Sequence, residues 1–165
     1  MPFQRKYSIT QDYLTLGSKK RSGQKITPAV KFVVAHDIGN SGSSALGNVQ
    51  YYHQTEQTDF AAAHLFVDDK QIIECIPAIA ATPPEKAFHV RYDVPADNAL
   101  FGFDANDTAI GVEYCFGANI VAEEAYKRYV WLIAYLCYTY GIDPTNKITV
   151  TSSCISVTSV SPLSN

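Results

Sequence analysis

Residues 122–140 narrow the possible folds of this chain more than any other segment. Tyr126, Tyr129, Val130, Ile133, Leu136, Cys137 and Tyr140 recur every three or four positions, which lays one apolar stripe along a helix. Gly141 supplies the C-terminal cap, and Pro144 prevents continuation. A helix with a single apolar stripe must bury it against another element. The remaining apolar runs are short and strand-like. Ala29–His36 (AVKFVVAH) is β-branched and reads as a buried strand. Phe60–Val67 and Gln71–Ile76 flank Asp68-Asp69-Lys70 and predict a β-hairpin. Thr108–Cys115 (TAIGVEYC) reads as a further strand. Between the first strand and the hairpin, a turn at Gly39–Ser44 offers serines to cap a helix carrying Leu46, Val49 and His53. The order strand, helix, hairpin, strand, helix predicts an α/β fold with a central mixed β-sheet flanked by helices.

The 165 residues are one domain's worth of chain, and the 47% hydrophobic and 18% charged content is that of a globular protein. A formal net charge of −3 gives no reason to bind nucleic acid. The first ten residues carry Arg5 and Lys6 without the run of about 7–15 apolar residues that a secretory signal needs, so no signal peptide is expected. No stretch of about 20 apolar residues exists, so no membrane helix is expected. Cys75, Cys115 and Cys137 read as reduced core residues. Residues 1–27 are an N-terminal arm, either packed on the domain or partly mobile. Residues 77–107 show no sustained period, and a stretch of that length reads as a binding surface. The composition changes at residue 149. Nine of the last seventeen residues are Ser or Thr and none is charged, so 149–165 reads as an atypical tail with edge-strand character at Val150, Ile155, Val157 and Val160.

Several side chains can carry chemistry. His36 ends the first strand beside a glycine-containing loop, where a strand can hold an imidazole rigidly towards a cleft; no HxxxH or HxH partner is near in sequence. Glu113 shares its strand face with Gly111 and Cys115, opposite Ile110, Val112 and Tyr114. It is either a buried carboxylate suited to acid–base work or a glutamate facing water on an edge strand. His64 reads as a buried histidine bonded to the backbone, His53 as half-buried packing, and Asp68 and Asp69 as turn formers. His89 follows Ala87-Phe88 in the irregular segment, where packing and substrate contact stay equally open. Cys154 has no activating neighbour.

FVVAHDIGN (32–40), AAHLFVDD (62–69) with IIECIP (72–77), EKAFHVRYD (85–93), NDTAIGVEYC (106–115) and the helix EEAYKRYVWLIAYLCYTYGIDP (123–144) occur in series. In that order they resemble the zinc-dependent N-acetylmuramoyl-L-alanine amidases of phage lysins, bacterial autolysins and peptidoglycan-recognition proteins. The resemblance spans roughly residues 28–148. It implies an amidase-like domain over 1–148 that cleaves the amide between N-acetylmuramic acid and the L-alanine of the stem peptide, on a bound Zn2+. By position, His36 matches the first zinc ligand and Glu113 the glutamate that activates water. His64 matches a structural histidine. His89 and Tyr92 match groove positions that contact substrate.

The family pattern continues after the long helix with a Gly-His pair for the second ligand and a later segment for the third. This chain has Ile148-Thr149-Val150-Thr151 at that place, and no histidine follows His89. The zinc site is therefore expected to be incomplete, and the tail to replace an ancestral ending. Two functions follow as expectations: a peptidoglycan hydrolase impaired by this loss, or a peptidoglycan-binding module without catalysis. The resemblance further implies a monomer made in the cytoplasm that acts at the cell wall after release, as phage lysins do.

Overall fold

The computed structural model describes residues 3–92, 95–152 and 155–158. The strands are β1 (Thr10–Gln11), β2 (Phe32–Asp37), β3 (Leu65–Val67), β4 (Ile72–Glu74), β5 (Ala109–Tyr114), β6 (Ile148–Ser152) and β7 (Ile155–Thr158). The helices are α1 (Ala45–Thr55), α2 (Pro95–Phe101), α3 (Ala105–Thr108) and α4 (Ala122–Tyr140). The strands make one sheet in the order β1-β4-β3-β5-β2-β6-β7. The β3–β4 hairpin and the β6–β7 pair are antiparallel, while β1–β4, β3–β5, β5–β2 and β2–β6 are parallel. The mixed sheet and the predicted hairpin are thus both present.

Strand alternation decides what each face buries. Val33, Leu65, Val67, Ile72, Ile110 and Val112 pack with Leu132, Leu136 and Cys137 of α4. Of the expected α4 stripe, Leu136 and Cys137 are buried on the sheet and Tyr129, Ile133 and Tyr140 pack against it. Tyr126 and Val130 are exposed, and Ala125 and Leu132 are buried in their place. Burying each leucine stabilises the fold by roughly 1.5–3 kcal/mol. Gly141 ends α4 at φ 64°, a left-handed geometry that glycine adopts without steric cost. The opposite face carries Phe66 and Ile73 beneath Ala45 and Val49 of α1. Phe32 and Val34 of that face pack with Ala105 and Phe101, and the Phe32 and Phe101 rings stack at 3.9 Å. Ser44 caps α1 by accepting from the Gly47 amide at 3.1 Å.

The N-terminal arm is packed on the domain. Its β1 extends the sheet beyond β4, and Lys20 is only 2% exposed. The Lys20 ammonium donates to Asp59 Oδ1 at 2.5 Å and to the Ala61 carbonyl at 2.9 Å. Arg21 donates to both carboxylate oxygens of Glu85, at 2.8 and 3.1 Å. The 77–107 segment, expected to be irregular, contains the short helices α2 and α3. At seven and four residues they are too brief to show a period. Cys75, Cys115 and Cys137 are free and buried, as read from the sequence, whereas Cys154 lies outside the described residues, as does Val160 of the tail. Residues 148–152 join the sheet beside β2, so the first part of the Ser/Thr-rich tail is paired strand.

Candidate active site

The site lies on the α1 side of the sheet at the C-terminal ends of parallel strands, where open α/β sheets place their ligands. His36 is the penultimate residue of β2, and its Cα is in register with Glu113 on β5 and with Thr151 on β6. Alternation sends His36 and Glu113 to the face opposite α4, along with Phe32, Val34 and Gly111. Glu113 is on a central strand between β3 and β2, so the alternative of an edge-strand glutamate does not hold. Its Oε2 is buried without a hydrogen-bond partner among the described residues. Burial, then the neighbouring charge of Asp37, raises its pKa to about 7. A carboxyl poised there can accept and return a proton near neutrality.

The chain also folds His89 onto this face. Its Nδ1 lies 3.0 Å from His36 Nε2, and the two rings are edge-on at 85°. This pairing joins residues 53 positions apart and is invisible to local spacing. His64 stands next to His89, with ring centroids 5.6 Å apart. It accepts from the Gly111 amide through Nδ1 at 3.0 Å and donates from Nε2 to the Glu85 carbonyl at 2.9 Å. Both nitrogens are spent on the backbone, which fits the structural reading of this residue. Burial lowers the pKa of His36 and of His64 to about 4 each, and that of His89 well below the ordinary value. The carbonyl of Glu85 pulls His64 the other way without overcoming burial. All three imidazoles are neutral at pH 7.

Tyr92 lies on the surface. It is 47% exposed, its hydroxyl donates to Asp107 Oδ1 at 3.4 Å, and its ring lies 6.0 Å from Phe88 with the Lys86 ammonium 5.1 Å away. His53 pairs with Asp12 at 3.0 Å and is half-exposed. Asp68 forms its turn by accepting from the amides of Lys70 and Gln71, and it also caps Ala45 at 2.9 Å. Three residues of the site region were not singled out in the sequence. Asp37 sets part of the Glu113 environment, and Tyr129 donates to the His36 carbonyl at 3.4 Å. Gly111 leaves the space in which His89 lies. A lone glycine inside a strand is a signal of close approach, and it points to Gly111.

A sequence profile described as N-acetylmuramoyl-L-alanine amidase matches residues 26–159. The chain belongs to the N-acetylmuramoyl-L-alanine amidase family. A probable N-acetylmuramoyl-L-alanine amidase of Bacillus licheniformis is 31% identical over 138 residues, which cover 82% of this chain and 37% of that protein. The amidase CwlL of the same organism is 28% identical, over 85% of this chain and 38% of its own length. The chain thus spans less than half the length of these relatives. Among solved structures, the catalytic domain of XlyA superposes with a TM-score of 0.68 at 23% identity, covering 88% of this chain and 83% of that one. PlyL gives 0.65 at 20% identity, over 87% and 80%. These likenesses establish the amidase fold.

Members of this family are typically zinc-dependent. An open catalytic zinc site takes three protein ligands. No group of three His, Cys, Asp or Glu side chains able to hold a metal exists among the described residues. His36 Nε2 faces another imidazole instead, and the residue in register beside it on β6 is Thr151. The described side chains therefore do not fit the family's zinc.

Proposed function

We propose that this chain acts on bacterial peptidoglycan as an N-acetylmuramoyl-L-alanine amidase, with the bond between the lactyl group and L-alanine as its target. The observation that carries the reading is Glu113, a carboxyl raised to about 7 and in register with His36 at the C-terminal ends of parallel strands. In the proposed step the Glu113 carboxylate takes a proton from water as that water attacks the amide carbonyl. The carboxyl then returns the proton to the alanine nitrogen as the C–N bond breaks, so protons balance over the cycle. His89 lines the groove beside His36, and Tyr92 offers an exposed ring for substrate contact. In this reading residues 1–148 are the catalytic unit and 149–165 an altered ending. The chain works as a monomer that is made in the cytoplasm and reaches the wall after release. No helix among the described residues is long and apolar enough to cross a membrane.

A second reading has a specific observation behind it. The three histidines are neutral, and the donor set among the described residues completes no metal site, so these side chains bring no positive charge to a developing oxyanion. That favours a module that holds muropeptide without cleaving it. Purified cell wall incubated with the chain distinguishes the two. New amino termini on alanine that are absent with Glu113→Gln support hydrolysis. Wall binding without them selects the second reading, and neither result with intact folding defeats both.

A further inference from the structure

We propose that Phe60, Phe88 and Tyr92 form an aromatic row that binds an N-acetylated glycan strand, with Lys86 and Asp107 as its hydrogen-bonding rim. That the strand is the glycan of peptidoglycan rests on the function proposed above.

The three rings adjoin one another. Phe60 and Phe88 lie 6.1 Å apart at 76°, and Phe88 and Tyr92 lie 6.0 Å apart at 54°. Phe60 is 59% exposed, and Tyr92 is exposed as well. An exposed phenylalanine gains little from folding, yet this one stands on a backbone fixed from both sides. The buried Lys20 ammonium donates to Asp59 Oδ1 and to the Ala61 carbonyl, the two residues that flank it. Asp59 also accepts from the Ala61 amide at 3.0 Å. Phe88 is bridged to Ala61, and its carbonyl accepts from the Ala62 amide at 3.1 Å. Contiguous exposed rings with a polar rim mark a binding surface. A fixed backbone beneath them lowers the ordering cost of binding.

The rim selects the ligand. The Lys86 ammonium lies 5.3 Å from the centre of the Phe88 ring and 5.1 Å from that of Tyr92. It pairs with Asp107, which also accepts from the Tyr92 hydroxyl. The pair cancels in charge while keeping a donor and an acceptor beside the rings. A polyanion would meet the Asp107 carboxylate and a lysine already neutralised, with Lys19 near Phe60 at the far end. An uncharged sugar chain matches this balance. Its apolar C–H faces lie on the rings, and its hydroxyl and acetamido edges reach Lys86 and Asp107. The tilts divide the row into separate faces, suited to successive sugar rings and not to the continuous apolar groove that a helix needs. Phe88 directly precedes His89, whose ring meets His36, so a strand on the row passes beside the candidate site.

An NMR titration of the intact 13C-labelled chain with an N-acetylglucosamine tetramer, a glycan without peptide, tests the row. The aromatic resonances of Phe60, Phe88 and Tyr92 are expected to shift together and saturate. Phe60→Ala and Phe60→Leu should each weaken binding about five- to tenfold, whereas Phe60→Trp, which keeps a ring face, should bind as wild type does. The exposure of Phe60 keeps these variants folded. A row that stays silent, or equal affinity in a folded Phe60→Ala protein, overturns the proposal. Wall hydrolysis measured on the same samples separates the two claims. New alanine termini with a silent row overturn the glycan site and leave the amidase reading standing. Saturable shifts in the row without wall binding or cleavage support the glycan site and defeat that reading.

Discussion

Glu113→Gln tests the electrostatics of the site through stability. The Glu113 carboxyl is raised from 4.5 to about 7, first by burial and then by Asp37. A raised pKa means that the folded protein holds this proton more tightly than the unfolded chain does. The associated stability is fully present below pH 4.5 and is lost as pH rises through about 7. At full ionisation the difference amounts to roughly 3 kcal/mol. Glutamine has nearly the same shape and never ionises, so the variant escapes this loss. Its stability relative to wild type should grow by roughly 2–3 kcal/mol between pH 5 and pH 8, beyond any constant offset from the amide itself. Urea titrations at pH 5, 6, 7 and 8 measure this as a diverging midpoint at constant m. Curves that stay parallel across that range would refute the reasoning, because they would mean that Glu113 is solvated or meets an opposite charge.

Asp37→Asn removes the second cause of the Glu113 shift, so a carbon-detected NMR titration should show the Glu113 pKa falling while burial keeps it above 4.5. The purified chain, dialysed without chelator, should retain far less than one zinc per molecule by elemental analysis. Thr151→His, in register with His36, should raise that content, and a full zinc in the unaltered chain would show that donors outside the described residues complete the site. Thr149 is 3% exposed and its Oγ1 has no hydrogen-bond partner among the described residues. Thr149→Val should therefore stabilise the chain by about 1 kcal/mol in urea, and a loss of stability would reveal a partner for that hydroxyl.

The parts of the fold legible in the sequence are those whose signal is local. The α4 helix with the C-terminal half of its stripe, its Gly141 cap, the β3–β4 hairpin and the serine cap of α1 each sit within a few consecutive residues, while Tyr126 and Val130 of the expected stripe are exposed. Two-residue β1 and four-residue α3 are shorter than any period, so they emerge only when the chain has packed. For Glu113, strand alternation identified its face-mates, but burial depended on which strands flank β5, and that is a property of sheet order. For His36 and His89, nothing local brings two rings together across 53 positions. The resemblance to the amidases supplied the expectation that both line one groove. The direct bond between them, and the glycine that permits it, came from the packed structure.

β6 shows why a fold can outlast the chemistry built on it. Strand register is set by backbone pairing and by which residues face the core, and a slip of one position would turn every side chain to the other face. Val33 pairs with Ile148, which packs against the α4-side core, and that anchor puts Thr151 beside His36. The anchor works through Ile148 and the main chain. A histidine or a threonine at that position would leave the pairing intact. The donor set of the site can therefore be lost while the sheet, the His36–His89 bond and the buried Glu113 persist. Selection for stability alone does not protect a metal ligand on such a strand, whereas it does protect the pairing that sets the strand's register.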